Sequence, residues 1–74
     1  MPDIVAALGE QALLVGFRLA GASVFAAETD QDVRRAWAAL PGNAAVVILT
    51  PRAAAALGAA LADSRSPLTV VLPA

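Results

Sequence analysis

The chain alternates short apolar runs with stretches whose apolar residues recur at helical spacing. Four runs of five mostly apolar residues are bounded by glycine, proline or polar residues, which is typical of β-strands. They lie at 4–8, 23–27, 45–49 and 68–72. The first and third contain no polar residue, so we expect them to be covered on both faces of a parallel sheet. Between the runs, the pattern predicts helices at about 11–20, 30–40 and 51–63.

Residues at the predicted helix ends agree with these boundaries. Thr29 or Asp30 precedes the second helix and Thr50 precedes the third, where a side-chain oxygen can accept hydrogen bonds from free backbone amides. Gly21 follows the first helix as a left-handed cap. Gly16 lies inside that helix, where glycine costs about 1 kcal/mol relative to alanine. Its presence predicts either a close backbone contact or a weak helical position.

Each predicted helix carries an apolar stripe that should face the sheet. The stripes are Leu13, Leu14 and Phe17 in the first helix, Val33, Ala36, Trp37 and Leu40 in the second, and Ala54, Leu57 and Leu61 in the third. Trp37 could also anchor a protein interface, because tryptophan is frequent at such sites. Its position on the clearest stripe favours core packing.

The element order βαβαβαβ indicates one α/β domain spanning residues 1–74. Right-handed crossovers then give a three-layer, four-stranded parallel sheet with the three helices distributed over both faces. Because the first and third strands are the most uniformly apolar, we place them centrally. The predicted sheet order is therefore 2-1-3-4, as in flavodoxin-like and receiver domains.

Composition narrows the classes of function. The 74 residues include no cysteine and no histidine, which removes disulfides, thiol chemistry and the commonest zinc ligands. The net charge of −1, with no lysine, argues against a nucleic-acid partner. No apolar window is long enough to span a membrane, and no basic segment suggests a signal peptide, so we expect a cytoplasmic protein. A domain this small often relies on a partner for stability.

Possible ligand chemistry is confined to the carboxyl ends of the strands, where open α/β sheets bind ligands. Glu10 with Glu28 or Asp30 could form a carboxylate pair or a weak cation site. The alternative is that these acids are solvated residues at helix N-termini. A receiver domain would need an aspartate where Thr50 stands, and a lysine as well. A single glycine, Gly9, is too few for a phosphate-binding loop. We predict no catalytic residues, no cofactor and no metal.

The least generic stretch is Gly16-Phe17-Arg18-Leu19-Ala20-Gly21. It resembles the signature of the F subunit of the archaeal and vacuolar-type (A/V-type) rotary ATPases. In that family, Gly-Asp precedes the stretch, and here Gly9 stands at the same spacing from Gly16, with Glu10 in place of the usual aspartate. The remaining strands and helices also resemble the family in order.

This resemblance implies a non-catalytic protein of the central stalk, the rotor of a proton- or sodium-translocating ATPase or ATP synthase. Such a protein docks on the coiled coil of the D subunit, turns inside the catalytic head and is associated with the membrane only through the complex. Family members usually continue into a C-terminal helical segment, so we expect a short form ending at Ala74. The fold alone does not explain Gly16 and Arg18, which makes them candidate partner-binding residues. A solvent-facing Arg18 is the simpler alternative.

A second hypothesis gives the chain a different class of function. It is a degenerate receiver-like module that binds a cation or small ligand at the strand ends.

Overall fold

The computed structural model describes residues 3–63 and 66–73. The elements are β1 (Ile4–Gly9), α1 (Gln11–Leu19), β2 (Ser23–Ala26), α2 (Asp30–Ala38), β3 (Ala44–Leu49), α3 (Pro51–Leu57), a 3₁₀ helix (Gly58–Ala62) and β4 (Leu68–Val71). All four strands and all three helices predicted from the sequence are present. The connection at 64–67, between the third predicted helix and the fourth strand, falls partly outside the described residues, as does the chain end at Ala74.

The four strands form one parallel sheet in the order β2-β1-β3-β4, which confirms the predicted topology. Ala7 of β1 pairs with Ile48 of β3, which pairs in turn with Val70 of β4. The continuous apolar run of β3 therefore lies between two neighbouring strands. Paired residues in adjacent parallel strands point to the same side of the sheet, so these pairs define its two faces.

The two faces of the sheet are covered unequally. On one face, α2 and α3 pack against each other and enclose the main core. The buried members of that core are Ala6, Leu8, Ala27, Val33, Ala44, Val47, Leu49, Ala53 and Leu57. On the opposite face, α1 packs on β2 and β1 and is anchored by Leu14, its one fully buried residue. The prediction that β1 and β3 are covered on both faces is wrong for part of this second face, where Val5 is exposed although Ala7 is fully buried.

Several details of the helices differ from the sequence prediction. Leu13 was expected to face the sheet with Leu14, but it is 52% exposed, because neighbouring helical residues are rotated by about 100°. The third helix stops being α-helical at Gly58, which adopts φ +50°, and continues as a 3₁₀ helix. The second helix ends at Ala38, two residues short of Leu40, since the residue before a proline avoids the helical region. Trp37 is half-buried against the core, as its stripe predicts.

Candidate functional site

The carboxyl ends of β1 and β3 meet at the centre of the sheet edge, where open α/β sheets ordinarily bind ligands. Gly9 ends β1, and Thr50 directly follows β3. The Thr50 side chain is fully buried and lies against the Gly9 backbone. A Cβ atom on Gly9 would overlap with Thr50 Oγ1 and lie 2.5 Å from Cγ2. Thr50 therefore occupies the space that a side chain at position 9 would need.

The Thr50 hydroxyl joins two elements across this edge. It donates a hydrogen bond of 2.6 Å to Glu10 Oε1 and accepts one of 3.3 Å from the Ala53 amide. The second bond is the N-cap of α3 that the sequence predicts. The bond from Thr50 lowers the pKa of Glu10 from its ordinary value, because it favours the charged carboxylate. Burial of the Thr50 hydroxyl is thus compensated at both its donor and its acceptor positions.

The remaining polar residues at this edge also bind backbone or side chains of the fold. Glu28 Oε2 accepts a hydrogen bond of 3.0 Å from the Gln11 amide, at the N-terminus of α1. Thr29 caps α2 by accepting a 3.1 Å bond from the Asp32 amide. Asp30 Oδ1 lies 3.7 Å from Arg52 Nε in an exposed ion pair. The contact made by Glu28 supports the alternative stated above, in which these acids are residues at helix N-termini.

The structure distributes the candidate cation ligands among separate contacts. Glu10 is bonded to Thr50, Glu28 to the start of α1, and Asp30 to Arg52. Across residues 3–63 and 66–73, no three histidine, cysteine, aspartate or glutamate residues cluster closely enough to hold a metal ion. The Thr50–Glu10 contact links positions forty residues apart and was not predicted. The one sequence signal for it is that both residues closely follow apolar strands.

We predict that Thr50→Val destabilises the domain by about 2 kcal/mol near neutral pH, because it removes an N-cap and a hydrogen bond to a carboxylate. The Glu10 carboxylate has a lowered pKa in the folded state. The charged Glu10 carboxylate therefore contributes its full share to stability above the ordinary glutamate pKa. That contribution is lost as the pH falls through the lowered pKa of the folded state. Urea unfolding should therefore show the difference between wild type and variant shrinking in acid.

Thr29→Val is the matched control, since Thr29 also caps a helix but its hydroxyl bonds only a backbone amide among the described residues. Its cost should be about 1 kcal/mol and should change less with pH. A Thr50→Val cost that stays constant from neutral to acidic pH would contradict the role assigned to Glu10.

Gly16 and Arg18, the two candidate partner-binding residues, both lie on the exposed surface of α1. Apart from its chain neighbours and the backbone of its own helix, no described heavy atom lies within 4 Å of a Cβ built on Gly16, so no packing contact requires glycine there. The salt bridges within the described residues do not include Arg18. Because the two residues are about 200° apart around the helix axis, they face different directions.

The exposed apolar residues are concentrated on the side of the sheet that carries α1. Seven large apolar side chains are exposed in the described part of the chain, and six of them lie on that side. They are Leu13, Val15 and Leu19 on α1, and Val5, Leu68 and Val70 on the sheet. The other side carries α2, whose exposed residues include Asp32, Arg34 and Arg35. Apolar exposure concentrated on one side of a domain is a feature that protein-interaction surfaces share.

The family model of the ATP synthase (F/14-kDa) subunit matches residues 5–74. The chain belongs to this family. The match covers every described strand and helix except the first residue of β1, including the Gly16–Gly21 stretch. Family membership makes the chain a subunit of a V/A-type rotary ATPase, a class of complex that joins ion transport to ATP synthesis or hydrolysis.

Two negative findings accompany this match. No curated protein sequence shows a significant match to the chain. Within the described residues, none of the helices combines the length and apolar character needed to cross a bilayer.

Proposed function

We propose that the chain is a non-catalytic member of the central rotor stalk, which docks on the coiled coil of the D subunit and helps to couple ATP turnover to rotation. Family membership over residues 5–74 carries the proposal. The concentration of exposed apolar residues on the α1 side supports it, since a stalk protein needs a large surface for its partner. The domain acts through its shape and its binding, while ATP is processed on other chains.

The arrangement at the sheet edge supports a non-catalytic role. A general acid or base must reach its substrate with a free hydrogen-bonding group. One oxygen of Glu10 accepts a bond from the Thr50 hydroxyl, and one oxygen of Glu28 accepts a bond from the Gln11 amide at the start of α1. These contacts stabilise the fold, so we assign them a structural role. As a stalk subunit, the domain is proposed to lie in the cytoplasm and to be held at the membrane through the complex.

Co-expression with the cognate D subunit tests this proposal. We expect the two chains to co-elute in size-exclusion chromatography as one peak, earlier than either chain alone. The separate chains, run at the same concentrations, are the control. Elution of this chain at its own volume in the presence of a folded D subunit would contradict the proposal.

Arg18 is proposed to contact the D subunit. We predict that Arg18→Glu raises the dissociation constant for that partner about tenfold, because it reverses a charge at the contact. The unfolding free energy should fall by less than about 1 kcal/mol, the cost of an acid in the last turn of an exposed helix. Arg34→Glu makes the same charge change on α2 and should leave docking unchanged. If Arg18→Glu and Arg34→Glu bind the D subunit with equal affinity, Arg18 is a solvent-facing residue and not a contact.

Gly16→Ala should have opposite effects on the stability of the isolated domain and on its affinity for the D subunit. Because a Cβ at position 16 meets open space, alanine should stabilise the isolated domain by roughly 0.5–1 kcal/mol. If the D subunit approaches the backbone closely at Gly16, the same methyl group should weaken docking. Stabilisation without any change in affinity would remove Gly16 from the contact surface.

A further inference from the structure

The side of the sheet that carries α1 is only half covered. Val5, Val46 and Leu68 lie side by side on β1, β3 and β4, and Ile48 and Val70 form the next row on β3 and β4. We call these five residues the open strip. Their rows alternate with the core residues that face α2 and α3, so the strip belongs to the α1 side. Val5, Leu68 and Val70 are exposed, and the other two are half-buried.

The last turn of α1 and the residues that follow it form a wall beside one end of the open strip. Phe17 of α1, with Ala20 and Gly21 after the helix, lines a groove of about 420 Å³ together with Val5 and Ile48 of the strip. The uncovered part lies over β3 and β4, and two strands span about 10 Å. An α-helix with its side chains is also about 10 Å across. The space next to α1 therefore fits one more helix on the sheet.

The charges around the groove indicate what kind of helix would fit. All five residues of the open strip are uncharged and apolar, which calls for an apolar stripe on the occupant. At one end of the groove, Asp3 contributes to its lining and is exposed. A basic residue at the corresponding end of the occupant would complement it. The expected occupant is thus an amphipathic helix.

We propose that the open strip and the adjoining flank of α1 seat one amphipathic helix of a partner protein, in the groove beside α1. This inference rests on the proposed function, which supplies such a helix from the coiled coil of the D subunit. It adds the face on which that helix lies. Family membership favours a different chain of the rotary complex over a second copy as the occupant.

A second copy is also less suited to the strip itself. Only three of its five residues are exposed, so two copies meeting at their strips alone would bury far less accessible surface than the roughly 800 Å² per partner of a stable interface. A coiled-coil helix reaches that size more readily, because it contacts the wall of the groove as well as its floor.

Val70 and Val71 provide a matched pair for the test. They are neighbours on β4, their exposures are 49% and 47%, and they point to opposite faces of the sheet. Val70→Glu places a carboxylate in the open strip, and burying it under a helix should raise the dissociation constant for the D subunit at least about tenfold. Val71→Glu should change it less than about twofold. Circular dichroism melting should show both variants folded and similar in stability.

Because the chain lacks cysteine, single-cysteine variants give a second readout. The D subunit should slow alkylation of Val70→Cys by a maleimide at least about tenfold, and leave Val71→Cys accessible. If the complex forms but substitutions at Val70 and Val71 have equal effects, or no effect, the open strip is not the docking site. The proposed function would remain intact. Loss of self-association in Val70→Glu, with unchanged affinity for the D subunit, would assign the strip to a second copy. Failure of the wild type to bind the D subunit would overturn the proposed function and this inference with it.

Discussion

Gly9→Ala is expected to unfold most of the isolated domain at room temperature. The new Cβ would overlap with Thr50 Oγ1 and lie within 3 Å of two further Thr50 atoms, all of them on a fully buried side chain. Residue 9 also has φ +150°, a region that residues with a Cβ rarely adopt. Overpacking costs about 1–3 kcal/mol, and the backbone strain adds roughly 1–3 kcal/mol. A single core of this size rarely supplies more than about 5 kcal/mol.

Urea unfolding followed by circular dichroism measures this effect. Gly42→Ala is the control, because a Cβ there meets no described atom within 4 Å beyond its chain neighbours and its φ is not positive. That substitution should be neutral or slightly stabilising, since alanine restricts the unfolded chain. A Gly9→Ala protein with a midpoint close to wild type would show that Thr50 can move away without loss, and that the contact at the sheet edge is loose.

The elements that were predicted correctly are those whose signals are local. The apolar run of β3 and the Thr50-Pro51 helix start each depend on a few adjacent residues, and both are present. The sheet order was predicted by comparing how apolar the four strands are, because the most apolar strands occupy the centre of a sheet. The stripe on α2 placed Val33 and Trp37 correctly for the same local reason.

The features that were missed depend on residues far apart in the chain. Leu13 and Leu14 are equally apolar, and only the position of α1 over β2 decides which is buried. The uncovered half of the sheet also has no local signal, since Leu68 and Val70 read as ordinary strand residues. The Thr50–Glu10 bond joins the ends of two strands that become neighbours only after folding. Sequence reasoning identified the residues at this edge but not which pairs they form.

Leu14→Ala is expected to have the second large effect, a loss of about 3–5 kcal/mol of unfolding free energy. Leu14 is the one residue of α1 that is fully buried, so its truncation leaves a cavity between α1 and the sheet. Leu13→Ala is the same substitution at the next position, where the side chain is half exposed and should cost about 1 kcal/mol or less. Urea unfolding of both variants measures the difference. Equal costs would mean that Leu14 does not anchor α1.

The loss in Leu14→Ala should be partly recovered by the partner. If the D subunit binds the folded domain through α1 and the open strip, a concentration of one hundred times its dissociation constant adds about 2.7 kcal/mol of stability. The variant should therefore be largely unfolded alone and regain its helical circular dichroism signal as the partner is added. Val70→Glu in the same background should abolish this recovery, and Val71→Glu should preserve it. Recovery that is insensitive to Val70→Glu would mean that the partner stabilises the domain through another face, since the linkage between folding and binding depends on where the partner lies.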